Sequence, residues 1–273
     1  MDLQIIVIYF FSDELLKAFR IQDDSQVKMT NAEVIAFALT AARFFNGNQR
    51  RTASFLRAHR YILNPLSESH LNRRLHKIPW DIWQAIFSTL AEHFKRSNLS
   101  QQYAIDSFPI PICDNIRIFR SKIYSGKAFR GYTASKKRYF YGIKAHLLVT
   151  PKGEPIECAF TPGSESDIST FKDFELDIPN GSIIYADKAY TCYEFEDLLQ
   201  ESGLSLITQR KANSKRPLAG WLRYIQSRIR KKIETTFSQI TGLFPRSIHA
   251  VTSRGFTLKV YLFILAHSIS LLF

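Results

Sequence analysis

The sequence predicts an α/β chain, with a mixed five-stranded sheet flanked by helices and a small all-helical region before it. Three observations carry this reading. Capped stretches with apolar residues three and four apart fill residues 1–100. From about residue 101 the texture changes to short apolar runs bounded by proline and glycine. The order there is three mostly paired strands, helix, strand, helix, strand, helix, an α/β or α+β plan. The change of texture divides the chain into two domains, 1–100 and 101–273, as 273 residues allow. With 45% hydrophobic and 14% aromatic residues, the chain can bury a sizeable core and is not disordered.

In the helical region, Thr30-Asn31-Ala32-Glu33 has the form of a capping box and opens an apolar run from Val34 to Phe45. Asn46-Gly47-Asn48 stops it. Residues 49–59 and 67–78 read as two further helices with basic faces, and residues 80–94 as another. Short basic helices joined by tight turns are compatible with a helix-turn-helix-like DNA reader, although no recognition helix stands out.

In the second region the strands are Gln102–Ile110, Phe140–Thr150, Pro155–Thr161, Ser182–Ala186 and Leu204–Thr208. The turn Pro151-Lys152-Gly153-Glu154 makes the second and third a hairpin. A long helix follows from about Leu222 to Thr241, with Ile229, Ile233, Phe237 and Ile240 forming one buried stripe. The N-terminal apolar run lacks the flanks of a signal peptide, and Lys259 and His267 interrupt the C-terminal one. The first is therefore no signal peptide, and the second reads as a buried terminal helix with no membrane role. Three isolated cysteines and scattered histidines make neither a disulfide framework nor a zinc site, as expected in a reducing cytoplasm.

Two strands end in a lone acid, Asp106 and Asp187. An acid at the end of an apolar strand either caps the next turn or needs a partner, a proton or a metal. Two of them on neighbouring strands would suit a hard divalent cation. Glu234 sits beside the buried stripe of the long helix, where it either pairs with Arg230 or Lys231 or joins the two aspartates as a third ligand. Asp167 reads most simply as the N-cap of a short helix, with support of a metal ligand as the alternative, and Glu194, Glu196 and Asp197 as an exposed helix face.

Lys and Arg number 37 against 24 acids, a net charge of +13, which points to nucleic acid before a membrane surface. The excess is concentrated. Between Asn115 and Gly153 there is no acid, and Lys136, Lys137 and Arg138 lie in a segment (120–141) rich in Tyr, Phe and Gly, as expected of a loop along a phosphate backbone. A second acid-free block, 210–233, holds Arg210, Lys211, Lys215, Arg216, Arg230 and Lys231. These are the candidate DNA contacts, with Arg230 foremost.

The segments IDSFPIP (105–111), PGSESD (162–167), YADKAY (185–190), RKANSKRP (210–217), RKKIETTF (230–237) and FPRSIHAVTSRGFTLK (244–259) resemble the DDE-type transposases of bacterial insertion sequences, nearest the insertion sequence 982 family. The resemblance covers nearly the whole chain. It implies an RNase H-like catalytic domain in which Asp106, Asp187 and Glu234 hold magnesium (Mg2+, with Mn2+ as a substitute), two ions in all. It implies cleavage at the element's ends and attack of the freed 3′-hydroxyl on target DNA, by a homodimer or larger assembly on DNA in the bacterial cytoplasm. The related Y-x2-R-x3-E-x6-K pattern is incomplete here, with Ser227 and Thr241 in place of its Tyr and Lys. Two other functions use the same features: a metal-dependent nuclease that only hydrolyses, and a catalytically silent DNA-binding relative.

Overall fold

A computed structural model describes residues 1–133 and 137–273. The chain divides into two compact units, residues 1–90 with 239–273, and residues 91–238. The division falls within two helices, α5 (Trp80–Ser97) and α8 (Gly220–Gly242).

The first unit is helical. It contains α1 (Asp2–Ala18), α2 (Asn31–Phe44), α3 (Gln49–Ala58), α4 (Glu68–Lys77), the start of α5 and the C-terminal α9 (Ser253–Ser270). The capping box forms as read: Thr30 N donates to Glu33 Oε2 at 2.6 Å, and Glu33 N to Thr30 Oγ1 at 3.1 Å. Residues Ala32 and Val34 through Ala42 are all buried, as an all-round apolar helix requires. α2 stops where Asn46 and Gly47 turn to positive φ (50° and 75°), and Asn48 then caps α3 by accepting from Arg51 N. α9 is buried from Phe256 to Ile269 apart from Thr257 and Lys259. Among the described residues no helix is long and apolar enough to cross a membrane.

The second unit is built on a mixed sheet of β1 (Gln102–Cys113), β2 (Arg130–Thr133), β3 (Arg138–Val149), β4 (Pro155–Pro162), β5 (Ile183–Ala186) and β6 (Ser205–Thr208). β1 pairs antiparallel with β3 on one side and parallel with β5 on the other, and β6 continues the parallel part. β4 and β2 pair with successive stretches of the far edge of β3. Helices α6 (Asp167–Lys172), α7 (Tyr193–Glu201) and α8 complete the unit. A central first strand with an antiparallel hairpin on one side and two parallel strands on the other is the RNase H-like arrangement. The sixth strand, β2, falls in the segment read from sequence as a loop. Its four residues are too few to show a period.

Three contacts pin α8 to this sheet. Gln226 Nε2 donates to Ala186 O (2.9 Å) and Ile207 O (3.2 Å), so one buried amide ties together the ends of β5 and β6. Thr236 Oγ1 donates to Gly153 O at 3.1 Å in the β3–β4 turn. Gly153 has φ +88°, and a Cβ there would stand 2.4 Å from the Thr236 hydroxyl, so the turn needs glycine twice over. The Phe237 ring lies 4.6 Å from that of Phe108 on β1.

On β4, burial pushes the Glu157 carboxyl up to about 7, against the opposing pull of the Glu175 and Leu176 N–H groups. A carboxyl held above its unfolded value stabilises the fold below that value, and the contribution is lost as pH rises through the folded pKa. Glu157→Gln is therefore expected to raise the thermal midpoint by a few degrees at about pH 8 and to leave it unchanged below about pH 4.5. Melting curves across that range check this.

Candidate active site

The sheet register brings Asp106 and Asp187 together. Ile105 is the partner of Ala186, the last paired rung between β1 and β5. Asp187 directly follows β5, and Asp106 is the next residue on β1, which runs on to Cys113. Asp106 therefore lies within its strand and not at the end read from the sequence, and the two stand side by side where β5 stops. Asp106 Oδ1 accepts from Ser107 N at 2.8 Å, and Asp187 accepts from Lys188 N at the start of a 3-10 turn. Asp187 thus caps a turn, whereas Asp106 is held by its neighbour's N–H within the strand, and in each the second oxygen is left available.

Those second oxygens meet α8. Arg230 Nη2 lies 3.5 Å from Asp106 Oδ2, 3.7 Å from Asp187 Oδ2 and 3.6 Å from Glu234 Oε1. One guanidinium nitrogen is in charge contact with three carboxylates from three elements. Side-chain exposure climbs from 18% at Asp106 through 30% at Asp187 to 61% at Glu234, so the cluster opens to solvent on the α8 side. Burial pushes the Asp106 carboxyl up to about 6, opposed by the Ser107 N–H and Arg230 and reinforced by Asp187 and Asp167. A buried acid of this kind calls for a cation.

Among the described residues no three His, Cys, Asp or Glu side chains stand close enough to ligate one ion as they are. The point on which this triad converges holds a guanidinium nitrogen. Three carboxylates are nonetheless the donor set of a hard divalent cation, and they already share one positive charge. The residues fit such an ion in chemistry and in convergence.

Beside Asp106 lies a second polar cluster, of which the sequence offered only Asp167. Asp167 is the first residue of α6, not its N-cap, which is Ser166. Its Oδ1 accepts from Ser107 Oγ and Lys144 Nζ, both at 2.9 Å, and lies 3.9 Å from His146 Nδ1. Burial lowers His146 to about 4, so the imidazole is neutral at physiological pH, with Nε2 2.8 Å from Thr161 Oγ1. The available signal was two polar residues, Lys144 and His146, two apart in an otherwise apolar strand.

The basic candidates fall into distinct settings. Arg210 makes a two-point contact with Glu196 (2.6 and 2.7 Å) and its side chain is only 9% exposed. Arg216 does the same with Asp197 at 2.7 and 2.9 Å, its guanidinium 4.7 Å from the Tyr193 ring centre. Glu196 is buried, which corrects its reading as part of an exposed helix face. Lys211, Lys215, Lys231, Lys137 and Arg138 are exposed. Lys136 lies outside the described residues.

Gln226 was also missed. It lies three residues before Ile229 on the apolar stripe, and a polar residue in that position was the signal. Its amide fixes where α8, and so Glu234 two turns on, meets the end of β5. Gln226→Leu is expected to cost about 1–3 kcal/mol, because two buried carbonyls lose their donor, and urea denaturation measures it.

A family model described as a transposase DDE domain matches residues 96–246, more than half of the chain and the segment that holds all three carboxylates. No curated protein sequence matches. Two solved structures are similar at low identity. For the structure titled "Crystal structure of the Mos1 Strand Transfer Complex" the identity is 13%, with 94% of this chain and 82% of that chain covered and a TM-score of 0.31. For "Mos1 transposase paired-end complex with left transposon end" the values are 12%, 86%, 87% and 0.26. On the strength of the family match, the chain belongs to the DDE-domain transposases.

Proposed function

We propose that this chain is a DNA transposase of the insertion sequence 982 type, which cleaves the ends of its element and joins the freed 3′-hydroxyl to target DNA. The observation that carries the reading is the meeting of Asp106, Asp187 and Glu234 on a single cationic nitrogen inside an RNase H-like sheet. Asp106, Asp187 and Glu234 would hold two divalent ions, Mg2+ or Mn2+, which would supply Lewis acidity toward the phosphodiester and its attacking oxygen. Asp106 within β1 and Asp187 just after β5 supply a fixed floor, since backbone N–H groups orient both. Glu234, the most exposed of the three, closes the cluster from α8. Arg230 balances the carboxylates while no ion is bound and reaches for a DNA phosphate once its place is taken. Lys231, on the same helix, extends that contact.

Lys211 and Lys215 stand on a loop that Arg210 and Arg216 fasten to α7, and Lys136, Lys137 and Arg138 lie in the other acid-free segment. These cations would track the DNA backbone. The helical first domain would read the element's terminal repeats. Two copies would bring the two ends together in the bacterial cytoplasm, on the nucleoid.

A joining assay tests the reading, using the DNA that flanks the gene as the labelled end, a target plasmid and Mg2+. Joined products are expected from the unaltered chain, and cleavage without joining would instead assign a nuclease. Asp106→Asn, Asp187→Asn and Glu234→Gln are each expected to lower joining by more than about a hundred-fold, with end binding retained. Binding without any chemistry in the unaltered chain would leave a silent DNA-binding relative. Replacing Lys211 and Lys215 by Gln is expected to reduce the slope of log affinity against log salt by roughly two, one for each lost phosphate contact. Titrations at several salt concentrations give that slope.

A further inference from the structure

Beyond the carboxylates the sheet carries a surface that catalysis does not use. β2 and the start of β3 form an antiparallel pair in which Tyr132 is the direct partner of Tyr139. The two rings touch, with centroids 4.8 Å apart and planes tilted by 52°. Both are exposed, Tyr132 by 50% and Tyr139 by 69%. Arg130 and Lys137, both exposed, flank them, Arg138 is exposed on the opposite face of β3, and the whole segment 115–153 has no acid.

The hairpin is anchored. On its other face Phe140 lies across Gly131, where a Cβ would meet the Phe140 ring at 2.3 Å and Gly163 O at 2.5 Å. Tyr141 Oη donates to Tyr124 O at 2.5 Å, and Asn115 Nδ2 donates to Tyr139 O at 3.1 Å. The two tyrosines therefore stand on a fixed base. The register also fixes where the pair lies along the sheet. Asp106 faces Leu147 on β3, and Tyr139 is eight residues before Leu147. At about 3.3 Å per residue the pair stands roughly 25 Å from the carboxylates, at the end of the sheet toward which β1 runs beyond Asp106.

We infer that the Tyr132–Tyr139 pair is a stacking platform for unpaired DNA bases, with Arg130, on the same face of the sheet, and Lys137 beside it holding the phosphates of the same strand. The inference rests on DNA being the substrate and goes beyond it in naming single-stranded DNA at a particular surface. The chemistry selects the ligand. An exposed tyrosine ring offers an aromatic face, which every unstacked base can cover and which bases inside a duplex cannot reach. The neighbouring cations supply the charge that a DNA strand needs, and the absence of acids removes repulsion along its path. A purely structural cross-strand pair would stabilise the hairpin with no preference between single-stranded and paired DNA.

The test uses the full chain and two labelled probes, a short oligothymidylate and a fully paired duplex of equal length, with affinities from fluorescence anisotropy. Tyr132→Ala/Tyr139→Ala is expected to weaken oligothymidylate binding by about ten-fold or more and duplex binding by less than about two-fold. Tyr132→Phe/Tyr139→Phe keeps the rings and is expected to bind both probes as the unaltered chain does. A 2-aminopurine placed in the oligothymidylate should lose emission on binding to the unaltered and phenylalanine proteins, and keep it with the alanine protein. Equal losses on the two probes, no loss on either, or a changed oligomeric state without a change in probe preference would overturn the inference. Should the double alanine protein melt early, Tyr139→Ala alone supplies the comparison. None of these readouts needs strand joining, so the platform and the transposase reading can fail separately.

Discussion

The charge contact between Arg230 and three carboxylates is the constraint on which the second unit depends. Two carboxylates on adjacent strands, about 5 Å apart, repel by roughly 3 kcal/mol even at an effective dielectric constant of 20. A third acid adds to that repulsion, and burial of Asp106 removes the water that would screen it. Arg230 answers all three from one position. In an isolated helix a basic residue four before an acid is the weaker orientation for a pair. Here the arrangement holds because the sheet supplies two more acids to the same guanidinium, so a helix-surface pair becomes the counter-ion of a site.

That contact exists only because α8 is placed to within the length of a side chain, and its placement is polar as well as apolar. Ile233 packs in the core, but an apolar stripe can slide along a sheet at little cost. Hydrogen bonds from Gln226 to two strand ends and from Thr236 to the β3–β4 turn cannot slide. They fix rotation and register together, and so set which face of the helix meets Asp106 and Asp187. The same separation of tasks recurs at Asp167, where Lys144 offsets an acid that would otherwise push Asp106 higher still.

What could be read from the sequence follows from the range of the interactions. The capping box at Thr30 and the stop at Asn46-Gly47 act within four residues and were legible in full. Asp106 and Asp187 were legible because an acid closing an apolar run is a local anomaly, although β1 continues past Asp106 to Cys113, and Glu234 because it borders a regular stripe. Their meeting was not in the local pattern and came from a resemblance to a family. The contact of Asp167 with Ser107 spans 60 residues, and no periodicity encodes it. Glu196 looked like any acid in the first turn of a helix, since only the folded loop brings Arg210 onto it. β2 was hidden because its exposed aromatic residues and glycine belong equally to a loop.

The distribution of charge looks different once pairing is known. The sequence offers two acid-free blocks of similar density, and by composition alone they are equivalent. In the folded chain they are not. In the block from 210 to 233 three arginines are committed to acids: Arg210 to Glu196, Arg216 to Asp197, and Arg230 to the triad. Their charge holds a loop and a site together, and phosphate would have to compete with carboxylates already in contact. The segment from 115 to 153 differs in that Arg130, Lys137 and Arg138 are exposed on a braced hairpin with aromatic rings between them. A positive potential that is not cancelled locally acts at a distance set by the Debye length, about 8 Å at physiological salt. The exposed cations of the hairpin, like Lys211 and Lys215 in the other block, are therefore where charge is available to a polyanion, while the three paired arginines hold the fold together.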